Sequence, residues 1–416
     1  MTPAVDLSDL RKHFPALERG DERGPYVYAD APGGTQVPQS VIDAMAGYFE
    51  TSNANAGGPF VTSEETGDVI AAARSAGADF FSCSPDEVVF GQNMTTLCFA
   101  LARSIARNVA PGEEIVVTRL DHDANISPWL AAAEGAEASV HWVDLRPEDC
   151  TLNLENLEGI LSPKTRVVAF TLASNAVGSI TATADVVEIA RQTGAYVVAD
   201  AVHIAQHRLL DVEALGVDLL FCSPYKFFGP HLGMMFGRKE LLDELQPYKV
   251  RPAEDASPNR WETGTLSHEA LAGLTAAVDY IAGVGRGAGA DGARRAEVVA
   301  GFEAIAAHER ELSRRFLEGI GSIPGLTLYG ISDLDRLDER TPTFALRLEG
   351  FTPRALGEEL GRRGIFTWDG NYYALAVMER LGLEDSGGAV RIGFCHYNTL
   401  EEVDRVLAEL RDIAGA

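Results

Sequence analysis

The sequence predicts an α/β protein with a large, mostly parallel sheet that carries helices on both faces, followed by a smaller α+β domain. Between about residues 25 and 270, short runs rich in Val, Ile and Phe alternate with Ala-rich helical stretches, which is typical of parallel strands joined by crossover helices. At 416 residues the chain exceeds the usual size of a single hydrophobic core. A glycine-rich stretch at residues 283–292 marks the predicted boundary between the two domains.

The predicted strands of the large sheet are short apolar runs separated by helical stretches. They span residues 87–90, 114–118, 139–143, 166–171, 195–199, 218–222 and 234–238. Ligands of an open, mostly parallel sheet collect at the carboxyl ends of its strands. The motifs that directly follow these runs are therefore the candidate site residues.

The C-terminal part of the chain has a different pattern. A long helical stretch from about residue 294 to 320 precedes predicted strands at 342–348 and 389–394 and amphipathic helices at 353–363 and 400–413. We therefore predict three parts. An N-terminal segment, residues 1–25, packs on the small domain, a large domain spans residues 26–285, and the small C-terminal domain spans residues 286–416.

Composition excludes several classes of partner. With 35 Lys and Arg against 61 Asp and Glu, the net charge of -26 argues against nucleic acid or an anionic membrane surface. The N-terminus has neither a basic nor an apolar stretch, and no segment approaches the ~18 uncharged apolar residues of a membrane span, so a cytoplasmic protein is expected. The five cysteines are widely spaced and include no C-x-x-C pair, which predicts neither a disulfide framework nor a metal site.

An acid and a lysine follow two of the predicted strands. Asp200 ends the run 195–199, and Lys226 follows the run 218–222 in an apolar setting that should lower its pKa. A lysine amine can form a Schiff base with the aldehyde of pyridoxal phosphate, and a carboxylate facing the pyridine nitrogen keeps that nitrogen protonated. The pair predicts an enzyme that uses this cofactor, although Asp200 could instead cap the segment after it.

A phosphate site is predicted beside the lysine. Residues 92–96, which include Met94 and Thr95, follow a predicted strand and open a helical run, so their backbone N–H groups lie at a helix N-terminus, where phosphate binds readily. A simple helix cap by Thr95 or Thr96 is the alternative. Ser223 and Tyr225 flank Lys226 and offer two hydroxyls to the same phosphate.

Four more polar side chains are candidates for contacts with cofactor or substrate. His122 could stack on the cofactor ring, and Asn175 and His203 could reach its phenolic oxygen, with turn formation as the alternative for Asn175. Arg391, on the predicted strand 389–394, could clamp an α-carboxylate with two parallel hydrogen bonds, or else form a surface ion pair.

Taken together, these motifs resemble a known family from about Tyr26 to the end of the chain. The chain is similar to fold type I pyridoxal phosphate enzymes of the class V aminotransferases, in the cysteine desulfurase-like branch. The motifs that carry the resemblance, in chain order, are residues 28–34, His122 with Asn125 and Pro128-Trp129, Asn175, residues 200–203, 223–226 and 262–265, Arg391, and residues 397–399.

The resemblance implies a role for each candidate residue. It implies a homodimer as the active unit, because the Thr265 position in similar enzymes reaches the phosphate of the neighbouring subunit. The remaining implied roles are a Schiff base at Lys226, a pyridinium partner in Asp200, stacking by His122, ring-oxygen contacts from Asn175 and His203, phosphate contacts from Met94, Thr95, Ser223 and Tyr225, and substrate carboxylate binding by Arg391.

The sequence departs from the desulfurases in one loop. True desulfurases carry a cysteine there that accepts sulfur as a persulfide, but residues 364–373 contain no cysteine. Our placement puts Tyr373 where the sulfur acceptor would stand and Trp368 where an arginine usually lies. His203 replaces the usual glutamine and Tyr225 replaces a histidine, and these departures point to other reactions.

The leading functional hypothesis is a carbon-sulfur β-lyase that acts on a cysteine-derived, S-substituted substrate. The aromatic side chains of Trp368, Tyr372 and Tyr373 favour a substrate bulkier than free cysteine. Transamination, racemisation or epimerisation, decarboxylation, and desulfurase or selenocysteine lyase-like activity use the same chemistry and remain alternatives. An alternative of another class is a non-catalytic protein that binds pyridoxal phosphate.

Overall fold

A computed structural model describes residues 7–415 and contains the predicted large sheet. Its seven strands are each within two residues of a predicted strand, and the strand Gly233–Gly237 runs antiparallel to its neighbours while the others are parallel to one another. The mostly parallel α/β fold is therefore confirmed. Across the sheet the strands are ordered Ser139–Val143, Glu114–Thr118, Thr165–Thr171, Tyr196–Asp200, Leu219–Cys222, Gly233–Gly237 and Val88–Gly91.

Both faces of the sheet are covered by apolar side chains and helices. Along one strand Val116 belongs to one hydrophobic cluster, whereas Ile115 and Val117 belong to the cluster on the other face. Strands buried on both faces read as continuous apolar runs, which is why the sequence located them well. The helices of the chain are Gln39–Thr51, Val61–Phe81, Met94–Ala106, Ser127–Ala136, Leu154–Ile160, Thr183–Arg191, Val212–Leu215, Lys239–Glu244, His268–Gly287, Arg294–Ile320, Pro353–Arg362, Leu375–Arg380 and Leu400–Ala414.

Only part of the glycine-rich stretch at residues 283–292 is a linker between helices. The helix His268–Gly287 continues through its first glycines before the chain turns into Arg294–Ile320. A Cβ atom on Gly285 would lie 1.9 Å from the carbonyl oxygen of Glu297, and one on Gly301 would lie 2.4 Å from that of Ile281. These glycines therefore allow two helices to pack backbone to backbone, and the break between them is confined to residues 288–293.

The C-terminal part contains a second, antiparallel sheet. Its strands lie in the order Leu326–Tyr329, Thr343–Leu348, Ala389–Gly393 and Trp368–Gly370. The first and last of these were not predicted, because each is a short edge strand, of four and three residues. Their pairing positions Trp368 opposite Arg391.

The start of the described chain contacts its C-terminal part. Arg11 forms an ion pair of 2.9 Å with Glu402 on the last helix, and Val27–Tyr28 pairs in parallel with Ile365–Phe366 as a separate two-stranded sheet. The two predicted domain boundaries stay predictions. Within residues 7–415 no helix combines the length and the apolar character needed to cross a bilayer.

Candidate active site

The carboxyl ends of the parallel strands bring most of the predicted site residues to one place. A slot of about 80 Å³ lies between the strand ends and adjoins an open cleft of about 950 Å³. Arg391, Trp368 and Tyr373 line the cleft. The slot is lined by Met94, Thr95, His122, Asn175, Asp200, His203, Ser223, Tyr225 and Lys226.

Lys226 lies where the slot meets the cleft. It ends a 3₁₀ turn, Pro224–Lys226, directly after the strand Leu219–Cys222, and its Nζ donates to the carbonyl oxygen of Pro32 at 2.5 Å. Burial, followed by the charge of Arg391, lowers its pKa to about 7. The amine of Lys226 is therefore unprotonated in a large fraction of molecules near neutral pH. The sequence predicted a lowered pKa at this position.

Asp200 faces the slot from the neighbouring strand. Its Oδ1 accepts a hydrogen bond of 2.7 Å from the backbone amide of Val202, and burial raises its pKa to about 6. The hydrogen bond from the amide of Val202 and the charge of Lys226 oppose that increase. The alternative of a helix cap is wrong, because the N-cap of the following 3₁₀ turn is His203. Asp200 is thus a buried carboxylate that can ionise and face a cationic ring nitrogen.

A helix N-terminus opens onto the slot. The helix Met94–Ala106 begins earlier than the sequence indicated, and its N-cap is Asn93, whose side chain accepts from the amide of Thr96 at 2.9 Å. The alternative of capping by Thr95 or Thr96 is therefore wrong. The amide of Met94 donates to Oγ of Ser223 at 3.2 Å. The positive end of the helix dipole and the hydroxyls of Thr95 and Ser223 are suited to an anion.

His122 is held with a defined ring orientation. Its Nδ1 accepts a hydrogen bond of 3.0 Å from the amide of Ala124. Burial, with the charges of Lys226 and Arg391, lowers its pKa to about 4, so the ring is neutral near neutral pH. Tyr373 stacks on it, with ring centroids 5.5 Å apart and an interplanar angle of 26°.

Asn175 and His203 each carry a buried polar atom that lacks a partner in the described part of the chain. The amide nitrogen of Asn175 donates to the carbonyl of Tyr372 at 3.0 Å, which leaves its Oδ1 free. Nε2 of His203 lies 3.1 Å from the hydroxyl of Thr341, which leaves its Nδ1 free. Burial lowers the pKa of His203 well below its usual value. Free buried polar atoms of this kind call for a ligand or a water molecule.

Arg391, like Lys226, is a buried cation that lines the cleft. Arg391 is 4% exposed, its Nη1 donates to the carbonyl of Asn175 at 2.8 Å, and its Nε has no partner among residues 7–415. The alternative of a surface ion pair is wrong, because the residue is buried. Its guanidinium carbon lies 4.4 Å from the ring centroid of Tyr372. A guanidinium without a carboxylate partner is suited to bind one from a substrate.

The aromatic loop forms the outer wall of the cleft. Trp368 is 54% exposed and lies against Gly33, where a Cβ atom would come within 2.4 Å of the indole nitrogen. Tyr372 and Tyr373 both adopt positive φ angles, of 54° and 58°. Non-glycine residues rarely adopt this conformation, and it is maintained here by the bonds that the two carbonyl groups accept.

Several functional candidates carried no recognisable signal in the sequence. Asp30 lies in the motif of residues 28–34, for which the sequence indicated no chemical role. Its Oδ1 is buried without a partner among the described residues, and burial raises its pKa to about 6. Asp123 and Glu384 line the cleft although no pattern singled them out. Thr265, by contrast, is exposed and lines neither the slot nor the cleft of its own chain.

The chemistry of these residues fits pyridoxal phosphate. A helix N-terminus with two hydroxyls matches the phosphate, a buried carboxylate matches the ring nitrogen, and an amine with a lowered pKa matches the aldehyde. The free atoms of Asn175 and His203 provide polar contacts for the rest of the ring. No charged residue of the slot conflicts with this arrangement.

Comparisons with known proteins agree with a pyridoxal phosphate site. A family model described as Aminotransferase class-V matches residues 27–406. A cysteine desulfurase of Synechococcus elongatus is 33% identical, over 98% of this chain and 64% of that protein. The aminotransferase-like protein FGM3 of Gibberella zeae is 30% identical, over 98% of both chains. The chain thus spans less than two thirds of the length of the Synechococcus relative.

The fold also has solved counterparts. The apo structure of a cysteine desulfurase from Thermococcus onnurineus matches with a TM-score of 0.87 and 25% identity, over 98% of both chains. The cysteine desulfurase CsdA of Escherichia coli matches with a TM-score of 0.83 and 23% identity, again over 98% of both chains. The large parallel sheet and the antiparallel sheet are therefore those of a fold type I pyridoxal phosphate enzyme.

Proposed function

This chain belongs to the class V aminotransferase family, whose members depend on pyridoxal 5'-phosphate, and we propose that it is a carbon-sulfur β-lyase that acts on an S-substituted cysteine. The observation that carries the proposal is the loop at the cleft mouth. Tyr373 lines the cleft there, at the position where the resemblance puts the sulfur acceptor of desulfurases, and a phenol cannot form a persulfide. Elimination of an S-substituent needs no such acceptor, because the sulfur leaves with its substituent.

The positions of the cysteines support this proposal. All five lie in the described part of the chain, and none of them lines the cleft or the slot. Four are buried, and Cys83 lies beside Val187 and Phe236 on another surface of the large domain. A thiol on this chain therefore has no route to sulfur bound in the cleft of the same chain.

The bound cofactor would supply an electron sink for the substrate α-carbon. Nζ of Lys226, with a pKa of about 7, would take up the proton that leaves that carbon. Arg391 would hold the substrate carboxylate and Asp200 would keep the ring nitrogen protonated. In the overall reaction the Cβ–S bond breaks, the thiolate leaves with the bonding electrons and gains a proton, and addition of a water molecule yields pyruvate and ammonium.

A pyruvate assay tests the proposal. Holoenzyme is incubated with a panel of S-alkyl and S-aryl L-cysteines, and pyruvate and thiol are measured together. Equal amounts of the two products are expected for at least one compound, and Lys226→Ala should abolish both. Absence of pyruvate across a broad panel, with an intact cofactor spectrum, would reject elimination.

Desulfuration of free cysteine is a second candidate, because several of the similar proteins are named cysteine desulfurase or probable cysteine desulfurase. It requires an external thiol to accept the sulfur in place of the missing loop cysteine. Sulfide release from L-cysteine that depends on added dithiol would favour it over elimination from larger substrates. Formation of an amino acid from a 2-oxo acid would instead indicate transamination, and a cofactor spectrum that no amino acid perturbs would indicate a non-catalytic binding protein.

We also propose that the active unit is a homodimer. Thr265 is exposed, and nearby Tyr248 and Val250 leave more than half of their surface open, as do Phe49, Phe60 and Val61. Large apolar side chains exposed together favour burial against another chain. A cytoplasmic location is proposed as well, which the five free thiols support.

A further inference from the structure

The cleft is lined by both cations and carboxylates. Lys226 and Arg391 are buried, whereas Asp123, Asp369 and Glu384 line the cleft and are partly exposed. A ligand that fills the cleft therefore meets two buried cations and three more exposed carboxylates. A cationic group on a substrate is repelled by the former and attracted by the latter.

The three carboxylates differ in how far they are already neutralised. Asp369 forms an ion pair of 3.2 Å with Arg354. Oδ2 of Asp123 accepts a hydrogen bond of 2.5 Å from the hydroxyl of Ser127. Oε1 of Glu384 accepts from the side-chain amide of Asn371 at 3.0 Å, but its Oε2 is buried and has no partner within the described residues.

The hydrogen bond from Asn371 involves Oε1 of Glu384 and leaves Oε2 without a donor among the described residues. Asn371 in turn accepts from the amide of Tyr373 at 3.0 Å, so Oε1 of Glu384 alone supports the aromatic loop. A carboxylate oxygen removed from water without a donor is unfavourable. A donor group delivered by the substrate would relieve that cost.

The walls of the cleft suit the same type of ligand. Phe99, Trp368 and Tyr373 line it together with Glu384. The face of an aromatic ring attracts a cation, and attracts it more strongly where water is excluded. Carboxylate and aromatic groups thus favour a positively charged nitrogen near Glu384, while the guanidinium of Arg391 favours a carboxylate.

We propose that the substrate of this site carries a positively charged nitrogen at the end of its side chain, bound by Oε2 of Glu384, while Arg391 binds its α-carboxylate. The inference rests on the proposed function for the identity of the reaction, but it concerns ligand selection only. It extends the substrate class to amino acids with a cationic side chain, such as S-(2-aminoethyl)-L-cysteine among S-substituted cysteines.

Ligand binding tests the charge preference without any turnover. L-lysine and L-norleucine have nearly the same shape, differ in the terminal ammonium, and carry no β-leaving group. Their dissociation constants are measured by isothermal calorimetry and by titration of the cofactor absorption band of the holoenzyme, with L-2-aminoadipate as the anionic counterpart. L-lysine should bind at least tenfold more tightly than L-norleucine, and L-2-aminoadipate should bind most weakly.

Two variants assign the preference to one carboxylate. Glu384→Gln retains an acceptor oxygen for Asn371 but removes the charge, so the ratio of the two dissociation constants should fall to near one. The neighbouring Asp385 is exposed and lies outside the cleft, so Asp385→Asn should keep the wild-type ratio. Equal affinities in the wild type, or an unchanged ratio in Glu384→Gln, would overturn the proposal.

Two further outcomes are informative. If Glu384→Gln weakens both ligands equally, Glu384 supports the loop and does not select the substrate, which also overturns the proposal. If that variant does not fold, the order of the three ligands in the wild type decides. A lysine preference without any pyruvate from S-(2-aminoethyl)-L-cysteine would uphold the charge selection and count against the β-lyase reaction alone.

Discussion

The phenol ring of Tyr373 stacks on the imidazole of His122, although the two residues are far apart in sequence and belong to different parts of the fold. The amide of Asp123 donates to the carbonyl oxygen of Tyr373 at 2.6 Å, which fixes the loop beside the strand end that carries His122. Asn175 holds the adjacent carbonyl of Tyr372. The aromatic loop is therefore held by hydrogen bonds from Asp123, which lines the cleft, and Asn175, which lines the slot.

This stacking predicts different effects for two substitutions of Tyr373. Tyr373→Phe keeps the ring and should leave kcat/KM nearly unchanged for any substrate of the S-substituted cysteine panel. Tyr373→Ala removes an aromatic pair of a kind worth about 0.5–1.5 kcal/mol, so kcat/KM should fall roughly 2- to 10-fold. Steady-state kinetics check this, and a loss in Tyr373→Phe as large as that in Tyr373→Ala would show that the hydroxyl matters and the stacking does not.

Burial of Lys226 predicts a pH-dependent stability of the cofactor-free protein. Its pKa is about 7 in the folded chain against an ordinary value of 10.5, so the unfolded chain binds more protons between these values. Stability therefore rises as pH increases from about 7 towards 10.5, and below pH 7 the folded state carries the full cost of the buried charge. Lys226→Met removes that cost.

At pH 6 the free energy of unfolding of Lys226→Met should exceed that of the wild type by on the order of 5 kcal/mol, since the pKa falls from 10.5 to about 7 and each pKa unit corresponds to about 1.4 kcal/mol. The difference should narrow as the pH approaches 10. Urea unfolding of both cofactor-free proteins at several pH values measures it. Lys164 is exposed, so Lys164→Met serves as the control and should follow the wild type throughout. Parallel curves for Lys226→Met and wild type would contradict the prediction.

Arg391 should discriminate substrates by their carboxylate. Charge-assisted hydrogen bonds contribute about 1.5–3 kcal/mol, so Arg391→Gln should raise the KM or dissociation constant for S-methyl-L-cysteine roughly 10- to 100-fold. The decarboxylated analogue 2-(methylthio)ethylamine has no group for the guanidinium, and its binding should change little. Spectral titration of both compounds with wild type and variant measures the difference, and an equal loss for the two would contradict carboxylate binding.

The site could be predicted from the sequence where it lies at the ends of buried strands. Asp200 and Lys226 end continuous apolar runs that are recognisable locally, and their neighbourhood follows from the rules of parallel sheets. Asn93 was not identified as the N-cap of the helix Met94–Ala106. Helix caps depend on backbone geometry at a single residue, which a periodic pattern does not record.

The cleft residues Glu384 and Trp368 could not be predicted in the same way. Glu384 is joined to the aromatic loop by a hydrogen bond from Asn371, and Trp368 lies in a three-residue edge strand. Whether a carboxylate lies within ion-pair distance of Arg391 depends on tertiary packing, which a sequence pattern does not contain.

Close packing of two helices predicts opposite effects for two neighbouring glycines. A Cβ atom on Gly285 would collide with the backbone of Glu297, so Gly285→Ala should destabilise the protein by about 1–3 kcal/mol or more. Gly287 ends the same helix and has open space around its Cα, so Gly287→Ala should be neutral or stabilising by up to about 1 kcal/mol. Thermal unfolding of the two variants measures this, and similar Tm values would show that the helices can separate at little cost.

A mixed dimer tests whether Thr265 acts on the neighbouring subunit. Thr265→Glu should place a carboxylate near the phosphate of the other chain and reduce activity, and Lys226→Ala should abolish activity in its own chain. When the two inactive proteins are unfolded and refolded together, a hybrid dimer receives both changes in one site and neither in the other. Activity should then recover to about a quarter of the wild-type value, since half of the dimers are hybrids with one intact site each. If Thr265 serves its own chain, each site of the hybrid carries one defect, and the mixture should stay as inactive as the separate variants.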